Sequence, residues 1–233
     1  KNWSKYGVFY YTDNEWHNKN ATNTEAFDTI SDIVSIAIDP INNSKVYVGS
    51  YHKGILEFEN FKLKNIYNKE NSSLDTPKNQ NHIFVTGMDF DSYNNLWIAN
   101  SGAENMLSVK TTNNDWYSFS IGSESTSKIM VDDNNYKWIL TRNGSLVVYN
   151  DNKTISNSYD DTYKIISTIK GQGGLPSTAN CMALDKDGTV WIGTNDGLAQ
   201  FYSTSKIFKQ GANYDASRIL VPRNDGSGQA DYL

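Results

Sequence analysis

One pattern occurs four times along the chain and constrains its fold more than any other feature of the sequence. Each copy runs through an apolar strand, an Asp, a polar turn, a second strand with an aromatic residue, another turn and a third strand. The copies lie at 35–58, 87–109, 129–149 and 182–201. Their equivalent second-strand residues are 50, 41 and 53 residues apart, at Val48, Ile98, Ile139 and Ile192. A period of this size with loops of unequal length is typical of propeller blades.

The residues within each copy favour β-strands over helices. The second strands, KVYVGS, LWIAN, KWILT and VWIGT, are short, β-branched and aromatic, and Asn, Asp or Gly bounds them. Dipeptides that suit two-residue turns with a positive φ at both central residues occur at Asn143-Gly144, at Asp196-Gly197 and, more weakly, at Lys53-Gly54. An aromatic fourth strand is expected after each copy, in KLKNIYN, DWYSFS, TYKIISTI and SKIFKQG. Four antiparallel strands make one propeller blade.

The sequence therefore predicts an all-β protein, a β-propeller of four-stranded antiparallel blades that forms a partial ring or a segment of a larger propeller. The whole chain, 1–233, is expected to be one propeller segment. Its parts are the trailing strands of a blade at 1–18, four blades at 28–68, 82–120, 126–168 and 179–210, and an exit strand or linker at 211–233. The alternative is a small closed propeller, in which a strand near 217–222 completes the partial first blade.

The aromatic residue of the second strand recurs at Tyr47, Trp97, Trp138 and Trp191. A blade is a twisted sheet that buries its faces against its neighbours, and a large flat side chain fills the wedge between two such sheets. We therefore assign these residues a packing role rather than a ligand-binding one. The glycines of the same structural repeat are Gly54, Gly144, Gly193 and Gly197.

Charge and cysteine content exclude several classes of protein. The net charge is −5 with a pI near 5.2, and the lysines are scattered, which argues against a nucleic-acid partner. The single cysteine, Cys181, excludes an intramolecular disulfide, and we expect its thiol to be buried and unreactive. No apolar run approaches the ~20 residues of a membrane helix, so we expect this segment not to span a membrane.

Asp185-Lys186-Asp187-Gly188 invites comparison with a calcium-binding loop. The required Gly and Glu are replaced by Val190 and Asp196, so we interpret the stretch as a hairpin turn. Asp91 and Asp132 support that interpretation, because each also lies five residues before its second-strand position.

Other sequence signals of catalysis or cofactor binding are weak. His17, His52 and His82 lie in different repeats, with no two at metal-ligand spacing. The Gly-rich stretch 171–174 precedes a strand rather than a helix that could cradle a phosphate, so we interpret it as a loop between blades. We therefore predict no catalytic residue, no metal site, no cofactor and no enzymatic activity.

Propellers bind partners through loops around the central channel, and the turns between second and third strands should gather on one such face. The candidate residues of this face are Tyr51, His52, Lys53, Arg142, Asn143, Asn195 and Asp196. The first four are the most ligand-like and could stack on a sugar or pair with an anion. The expected partner is a protein, or an oligosaccharide or glycolipid ligand. The simpler interpretation is that they are ordinary solvated loop residues.

Residues 173–201, GGLPSTANCMALDKDGTVWIGTNDGLAQF, resemble the two-component regulator propeller repeat. In that repeat a Gly-Leu-Pro-Ser opening precedes an Asp turn, Trp-Ile-Gly-Thr, a second turn and Gly-Leu. The matching residues are Gly174, Leu175, Pro176, Ser177, Asp185, Gly188, Trp191, Ile192, Gly193, Thr194, Gly197 and Leu198. The other copies depart from it, with Ala99 and Leu140 at the position of Gly193. The resemblance implies a propeller fold.

The C-terminal RILVPRNDGSGQADYL, residues 218–233, resembles a junction in PorZ-like proteins of Bacteroidetes, which are extracytoplasmic propeller proteins associated with type IX secretion. This resemblance implies a non-catalytic interaction or scaffold module, located in the periplasm or at the cell surface. The two-component regulator resemblance implies an alternative, a periplasmic propeller of a hybrid two-component system that binds oligosaccharides. A third reading, a carbohydrate-active propeller enzyme, needs paired carboxylates or a His-Tyr-Arg cluster at the channel.

Overall fold

A computed structural model gives the chain an all-β architecture over its described residues, 4–122, 125–225, 227 and 229–232. The predicted segments 1–18 and 211–233 extend beyond these residues, at 1–3, 226, 228 and 233. The chain divides into two compact units, residues 1–126 and 127–233. Across the described ranges, no helix has the length and apolar character of a membrane span.

The first unit contains a two-stranded hairpin and two four-stranded sheets, all antiparallel, with the strands in chain order. The hairpin consists of β1 (Val8–Thr12) and β2 (Glu15–Lys19), and a 3₁₀ helix, Glu25–Asp28, follows it. The sheets are β3 (Ile33–Ile38), β4 (Lys45–Ser50), β5 (Ile55–Glu59) and β6 (Lys62–Tyr67), then β7 (Val85–Phe90), β8 (Leu96–Asn100), β9 (Leu107–Lys110) and β10 (Trp116–Phe119).

The second unit repeats this arrangement with two more four-stranded antiparallel sheets. They are β11 (Thr126–Val131), β12 (Lys137–Thr141), β13 (Leu146–Asn150) and β14 (Thr162–Ile166), then β15 (Ala179–Leu184), β16 (Val190–Thr194), β17 (Gly197–Phe201) and β18 (Ser217–Arg218). A two-stranded hairpin follows, formed by β19 (Leu220–Pro222) and β20 (Ala230–Tyr232). The predicted four-stranded antiparallel sheets are therefore present.

Three of the sheets share a shift in the pairing of their first two strands, and this shift identifies equivalent residues in the three sheets. The pairing of first and second strands shifts between Ile33 and Ser35, between Val85 and Gly87, and between Ala179 and Cys181. Counting from these shifts, Ile36, Met88 and Met182 occupy one equivalent position.

Consecutive sheets pack through the apolar faces that the alternating strands create. In the first unit a core cluster joins Tyr47 of β4 to Val85 and Ile98 of the next sheet. In the second unit Trp138 of β12 belongs to one cluster with Met182 of β15. Sheets that bury their faces against their neighbours in this way are the packing unit of a propeller.

The turns differ in type from the prediction. Gly144 has a φ of 79°, whereas Asn143 is not among the residues with positive φ. The loop is one residue longer than predicted, because Thr141 N–H donates to the Ser145 carbonyl over 2.9 Å and Gly144 occupies the left-handed third position. In Asp196-Gly197, too, only the Gly has a positive φ. Turns with two positive φ values occur instead at Asp13-Asn14 and Asn60-Phe61.

The predicted strand SKIFKQG is wrong. Thr204–Lys206 forms a 3₁₀ helix, and the fourth strand of this sheet is Ser217–Arg218, beyond residue 210. Ile207 is fully buried and its neighbour Phe208 packs against the same core cluster. Two successive side chains on one side are incompatible with a strand, in which neighbours alternate, so the chain turns here.

Cys181 is exposed rather than buried, which contradicts the prediction for its thiol. It lies in β15, where Met182 is buried and Ala183 is exposed again. Cys181 and Ala183 share the face of this strand that is open to solvent, since successive residues point to opposite faces.

Candidate functional site

In the first unit the candidate residues Tyr51, His52 and Lys53 form the turn between β4 and β5. Ser50 holds the turn, because its hydroxyl donates to the Gly54 carbonyl over 3.0 Å and accepts the Lys53 N–H over 2.9 Å. Tyr51 and His52 are half-buried and Lys53 is exposed. The Ser at the strand end thus makes the local geometry that presents these side chains.

A second segment, His82 to Phe84, packs against this turn. The Ile83 N–H donates to the His52 carbonyl over 3.1 Å, and Lys53 and Ile83 form an isolated parallel bridge. The ring centroids of Tyr51 and Phe84 are 4.9 Å apart, and those of His52 and His82 are 4.2 Å apart. Sequence spacing placed these histidines in different repeats, yet the loop before β7 brings them into contact.

The His52 ring is anchored to the main chain. Its Nδ1 lies 3.0 Å from the Thr29 carbonyl oxygen, which can only accept, so Nδ1 donates this hydrogen bond. His17, in contrast, lies elsewhere and stacks on Tyr10 at 5.2 Å.

In the second unit the candidate turns meet at Thr178 and Ala179. Ala179 N–H donates to the Gly144 carbonyl over 2.8 Å, which ties the turn of Arg142 and Asn143 to this segment. The Asn195 amide donates to the Thr178 hydroxyl over 2.6 Å, which ties the other turn to it.

The side chains of Asn143, Asn195 and Asp196 take part in local hydrogen bonds. The side-chain oxygen Oδ1 of Asn143 accepts from the Thr141 hydroxyl at 2.5 Å. The Oδ1 of Asn195 accepts from the side-chain amide of Asn180 at 2.7 Å. An Asp196 carboxylate oxygen accepts from the Arg218 guanidinium at 3.2 Å. Arg142 is exposed. The assignment of the seven residues to a binding face stays a prediction, with His82 and Phe84 as members that sequence reasoning missed.

The repeated Asp residues act as turn formers and also hold the repeated Trp side chains. The indole N–H groups of Trp97, Trp138 and Trp191 donate to Asp91, Asp132 and Asp185 over 2.9, 3.0 and 2.7 Å. In each case the other carboxylate oxygen accepts two backbone N–H groups of the turn. Trp97 and Trp138 are fully buried.

Within the described part of the chain, no group of three or more His, Cys, Asp or Glu is placed to hold a metal ion.

The Gly-rich loop 171–174 surrounds an anion that the chain itself supplies. The Asp215 carboxylate accepts the N–H of Gly171 over 2.8 and 2.9 Å and that of Gly173 over 3.1 Å. The Ala216 N–H then donates to the Gly173 carbonyl over 2.7 Å. Successive backbone N–H groups of this kind form an anion-binding concavity, and here a side chain of the same unit occupies it.

Buried polar groups occur in both units. In the first unit a Glu57 carboxylate oxygen accepts the Tyr67 hydroxyl at 2.5 Å and the Asn65 amide at 2.7 Å. Burial, followed by the charge and hydrogen bonding of Glu57, raises the pKa values of Tyr47 and Tyr67 well above the ordinary range. Burial also lowers the pKa of Lys110, whose ammonium lies 5.8 Å from the Tyr67 ring.

In the second unit the Lys137 ammonium and an Asp151 carboxylate oxygen form an ion pair at 2.5 Å, with the two side chains only 1% and 6% exposed. The Tyr149 hydroxyl donates to Asp161, and burial followed by this bond raises the pKa of Tyr149. These groups are not among the seven candidate residues. They are polar contacts in the interior of each unit.

Comparison with known proteins places this geometry in context. A family described as "Two component regulator propeller" matches residues 173–196. No curated protein matches the chain. Among solved structures, PorZ, a bacterial surface component of the type-IX secretion system of Porphyromonas gingivalis, is similar, with a TM-score of 0.81 and 20% identity over 97% of this chain and 32% of PorZ.

Two further solved structures are similar to the chain. The first is an extracellular domain of B. thetaiotaomicron, described as that of a hybrid two component system, with a TM-score of 0.62 and 20% identity over 96% of this chain and 30% of that one. The second is virginiamycin B lyase from Staphylococcus aureus, with a TM-score of 0.55 and 13% identity over 88% of this chain and 70% of the lyase.

The chain spans about a third of the length of PorZ and of the B. thetaiotaomicron protein. The family match confirms the resemblance carried by residues 173–201, and the structural similarity confirms the resemblance to PorZ-like proteins. The chain has a β-propeller fold built of four-stranded antiparallel blades.

Proposed function

We propose that the chain is a non-catalytic interaction or scaffold module of an extracytoplasmic, PorZ-like bacterial protein. The observation that supports this most is the structural similarity to PorZ at a TM-score of 0.81 over 97% of the chain. PorZ is described as a surface component of a secretion system, and we propose an extracytoplasmic location for this chain as well. The proposed partner is another protein.

The turn of the first unit fits this role. The half-buried Tyr51 ring stacks at 4.9 Å on the buried Phe84, and the exposed Lys53 lies in the same turn. Protein interfaces favour an aromatic side chain at the centre and charged groups at the rim.

The test places a photo-crosslinking residue at Lys53 in the first unit and at Arg142 in the second. Tyr159, which is fully exposed, and Ile41, which is 80% exposed, serve as matched control positions. We expect one envelope protein to crosslink at Lys53 or Arg142, and its yield to fall when Tyr51 is changed to Ala. Equal yields at all four positions, or a chain recovered from the cytoplasmic fraction, would contradict the proposal.

The second candidate function is a ligand-sensing propeller that binds oligosaccharides. The match of residues 173–196 to the two-component regulator propeller family and the similarity to an extracellular domain support it. The half-buried Tyr51 ring is the proposed stacking surface for a sugar. The similarity to the lyase, at 13% identity, supports only the shared fold.

Titration calorimetry with neutral and acidic oligosaccharides separates the two candidates. Saturable binding that Tyr51→Ala abolishes and Tyr159→Ala leaves intact would replace the scaffold by the sensor. Absence of heat with every oligosaccharide, together with the crosslink, supports the scaffold.

A further inference from the structure

The second unit has a small crevice of about 140 Å³ at the β18 edge of its last sheet. The end of β17 forms one side of it, and the 3₁₀ helix Thr204–Lys206 and residues 213–217 form the others. All of its lining residues lie between Gln200 and Ser217, within one unit. None of the seven candidate residues is among them.

The crevice exists because the fourth strand of this sheet is short. β18 pairs only with Ala199 and Gln200 of β17. In this register the next hydrogen-bonded pair would join Tyr202 to Asp215, but the Asp215 N–H donates to Oδ1 of Asn213 over 3.0 Å instead. Residues 203–216 therefore loop away from β17 and leave a gap beside Tyr202.

Backbone groups of Tyr202 point into this gap. The β16–β17 hairpin closes with Thr194 paired to Gly197, so hydrogen bonds to β16 fall at every second residue, ending at Phe201. The N–H and C=O groups of Gln200 and Tyr202 therefore point toward the side of β18. Those of Gln200 meet β18 there, whereas those of Tyr202 face the crevice.

One lining residue is polar where other sheets are apolar. Gln200, which is 5% exposed, pairs with the Trp of the second strand, and the residue at this position is Val109 or Val148 in two other sheets. The Gln200 side-chain amide donates to the Tyr202 hydroxyl. A buried polar side chain thus anchors Tyr202 beside the crevice.

Two opposite charges line the same crevice. The Lys206 side chain is exposed, and the Asp215 carboxylate is held in place by backbone N–H groups of the loop 171–174. Tyr214 is held as well, because the Lys164 ammonium lies 4.0 Å from its ring centroid. A ligand therefore meets one cation and one anion, and a ligand with a single charge would leave one of them unmatched.

The volume of the crevice limits the ligand to a small molecule. A cavity of about 150 Å³ holds benzene, so this one, of about 140 Å³, admits roughly six non-hydrogen atoms. A strand of a partner protein needs more room than this. A sugar ring is of suitable size but would leave the charges of Lys206 and Asp215 unmatched.

We propose that this crevice binds a free α-amino acid with a small side chain. The carboxylate of the amino acid pairs with the Lys206 ammonium and accepts the Tyr202 N–H. Its ammonium group donates to the Tyr202 C=O and to the Asp215 carboxylate. Hydrogen bonds with charged partners are about twice as strong as neutral ones. This small-molecule site lies apart from the proposed interaction face and does not depend on it.

Backbone-amide NMR of the full chain, titrated separately with glycine and with L-alanine, tests the proposal. We expect both amino acids to shift the Tyr202 amide saturably. Propionate and L-alaninamide, which each keep only one of the two charges of alanine, should bind at least tenfold more weakly than L-alanine. No shift with either amino acid, or equal binding of propionate or L-alaninamide, would overturn the proposal.

Two lysines of one turn provide a matched pair of variants, since the Lys209 N–H donates to the Lys206 carbonyl over 3.0 Å. Lys206→Met removes the partner of the ligand carboxylate and should weaken L-alanine binding at least fivefold. Lys209 is also exposed but does not line the crevice, so Lys209→Met should stay within twofold. Equal weakening by the two variants would mean that net charge rather than the crevice attracts the amino acid, which contradicts the proposal.

A sugar is the competing occupant, and D-glucose is the probe for it. D-glucose that shifts the Tyr202 amide with a lower Kd than L-alanine would assign the crevice to a saccharide and overturn the proposal. A higher Kd, or no shift, supports it.

Discussion

The indole of Trp138 donates a hydrogen bond over 3.0 Å to the carboxylate of Asp132, six residues earlier in the chain. The other carboxylate oxygen accepts the N–H groups of Asn134 and Tyr136, both at 2.9 Å. One side chain thus shapes the hairpin turn and orients the largest residue of the neighbouring strand. The same pair recurs as Asp91 with Trp97 and as Asp185 with Trp191.

Replacing Asp132 by Ala should therefore cost more than a turn residue normally does. Three donors lose their acceptor, and the buried indole N–H has no water to replace it, so we expect the free energy of unfolding to fall by about 2–4 kcal/mol. Urea unfolding followed by Trp fluorescence measures it. Asp133→Ala, at the exposed neighbouring position, is the control and should stay within about 0.5 kcal/mol. Equal losses for both variants would mean that the carboxylate has no special role.

Alkaline pH should destabilise the fold through its buried tyrosines. The pKa values of Tyr47, Tyr67 and Tyr149 are raised, chiefly by burial, so the folded state keeps protons that the unfolded state loses. Their stabilising contribution is complete below the unfolded pKa of about 10 and is lost as pH rises above it, by about 1.4 kcal/mol per pH unit for each tyrosine.

Urea unfolding between about pH 9 and pH 11 checks this, together with phenolate absorbance. The control is Tyr159→Phe, at a fully exposed side chain, which should leave the pH dependence of unfolding unchanged. Tyr67→Phe should reduce the dependence by about a third, as one of three such groups. A free energy of unfolding that stays flat above about pH 10 would contradict the assignment.

Most of the fold could be predicted from the sequence, because period and strand composition are local properties. The second strands KVYVGS, LWIAN, KWILT and VWIGT all form strands within one residue of their predicted positions. The error at SKIFKQG has a tertiary cause, since burial of Ile207 in the core outweighs the local strand pattern. The turn type at Asn143-Gly144 was predicted wrongly, because the dipeptide alone does not encode whether the loop has two or three residues.

Glutamate at two equivalent positions should affect stability to very different extents. Ile36→Glu, at a side chain that is 52% exposed, should change the free energy of unfolding by no more than about 0.5 kcal/mol. Met182→Glu, at a side chain that is 3% exposed, buries a charge and should cost about 3–5 kcal/mol. Thermal and urea unfolding of the two variants give the comparison. Similar losses would show that the Ile36 side chain is as well covered as that of Met182.

The buried ion pair of the second unit should show strong coupling in a double-mutant cycle. Lys137→Met leaves the Asp151 carboxylate buried without its partner at 2.5 Å, and we expect a loss of about 3–5 kcal/mol. Adding Asp151→Leu removes the stranded charge and should recover at least about 1.5 kcal/mol of that loss. Additive losses in urea unfolding would show that the two groups act independently.

The candidate site was less predictable than the fold. Tyr51, His52 and Lys53 were recognisable because they lie in a repeat turn, whose position follows from the strand pattern. Phe84 and His82 were not, since their contacts with this turn join residues about thirty positions apart, and no local spacing reports them. Exposure of Cys181 likewise depends on which face of β15 has a neighbour, a property of packing rather than of sequence.

The loop 171–174 has a consequence for the order in which this unit becomes structured. Its N–H groups close on a carboxylate that lies 44 residues further along the chain from Gly171. Backbone hydrogen bonds between residues 167 and 175 hold part of the loop locally, whereas the Gly171 N–H has its acceptor in Asp215. Since Ser217 begins the last strand of the adjoining sheet, the Gly171 amide becomes protected as that sheet is completed. A single backbone proton thus reports that the final strand has docked.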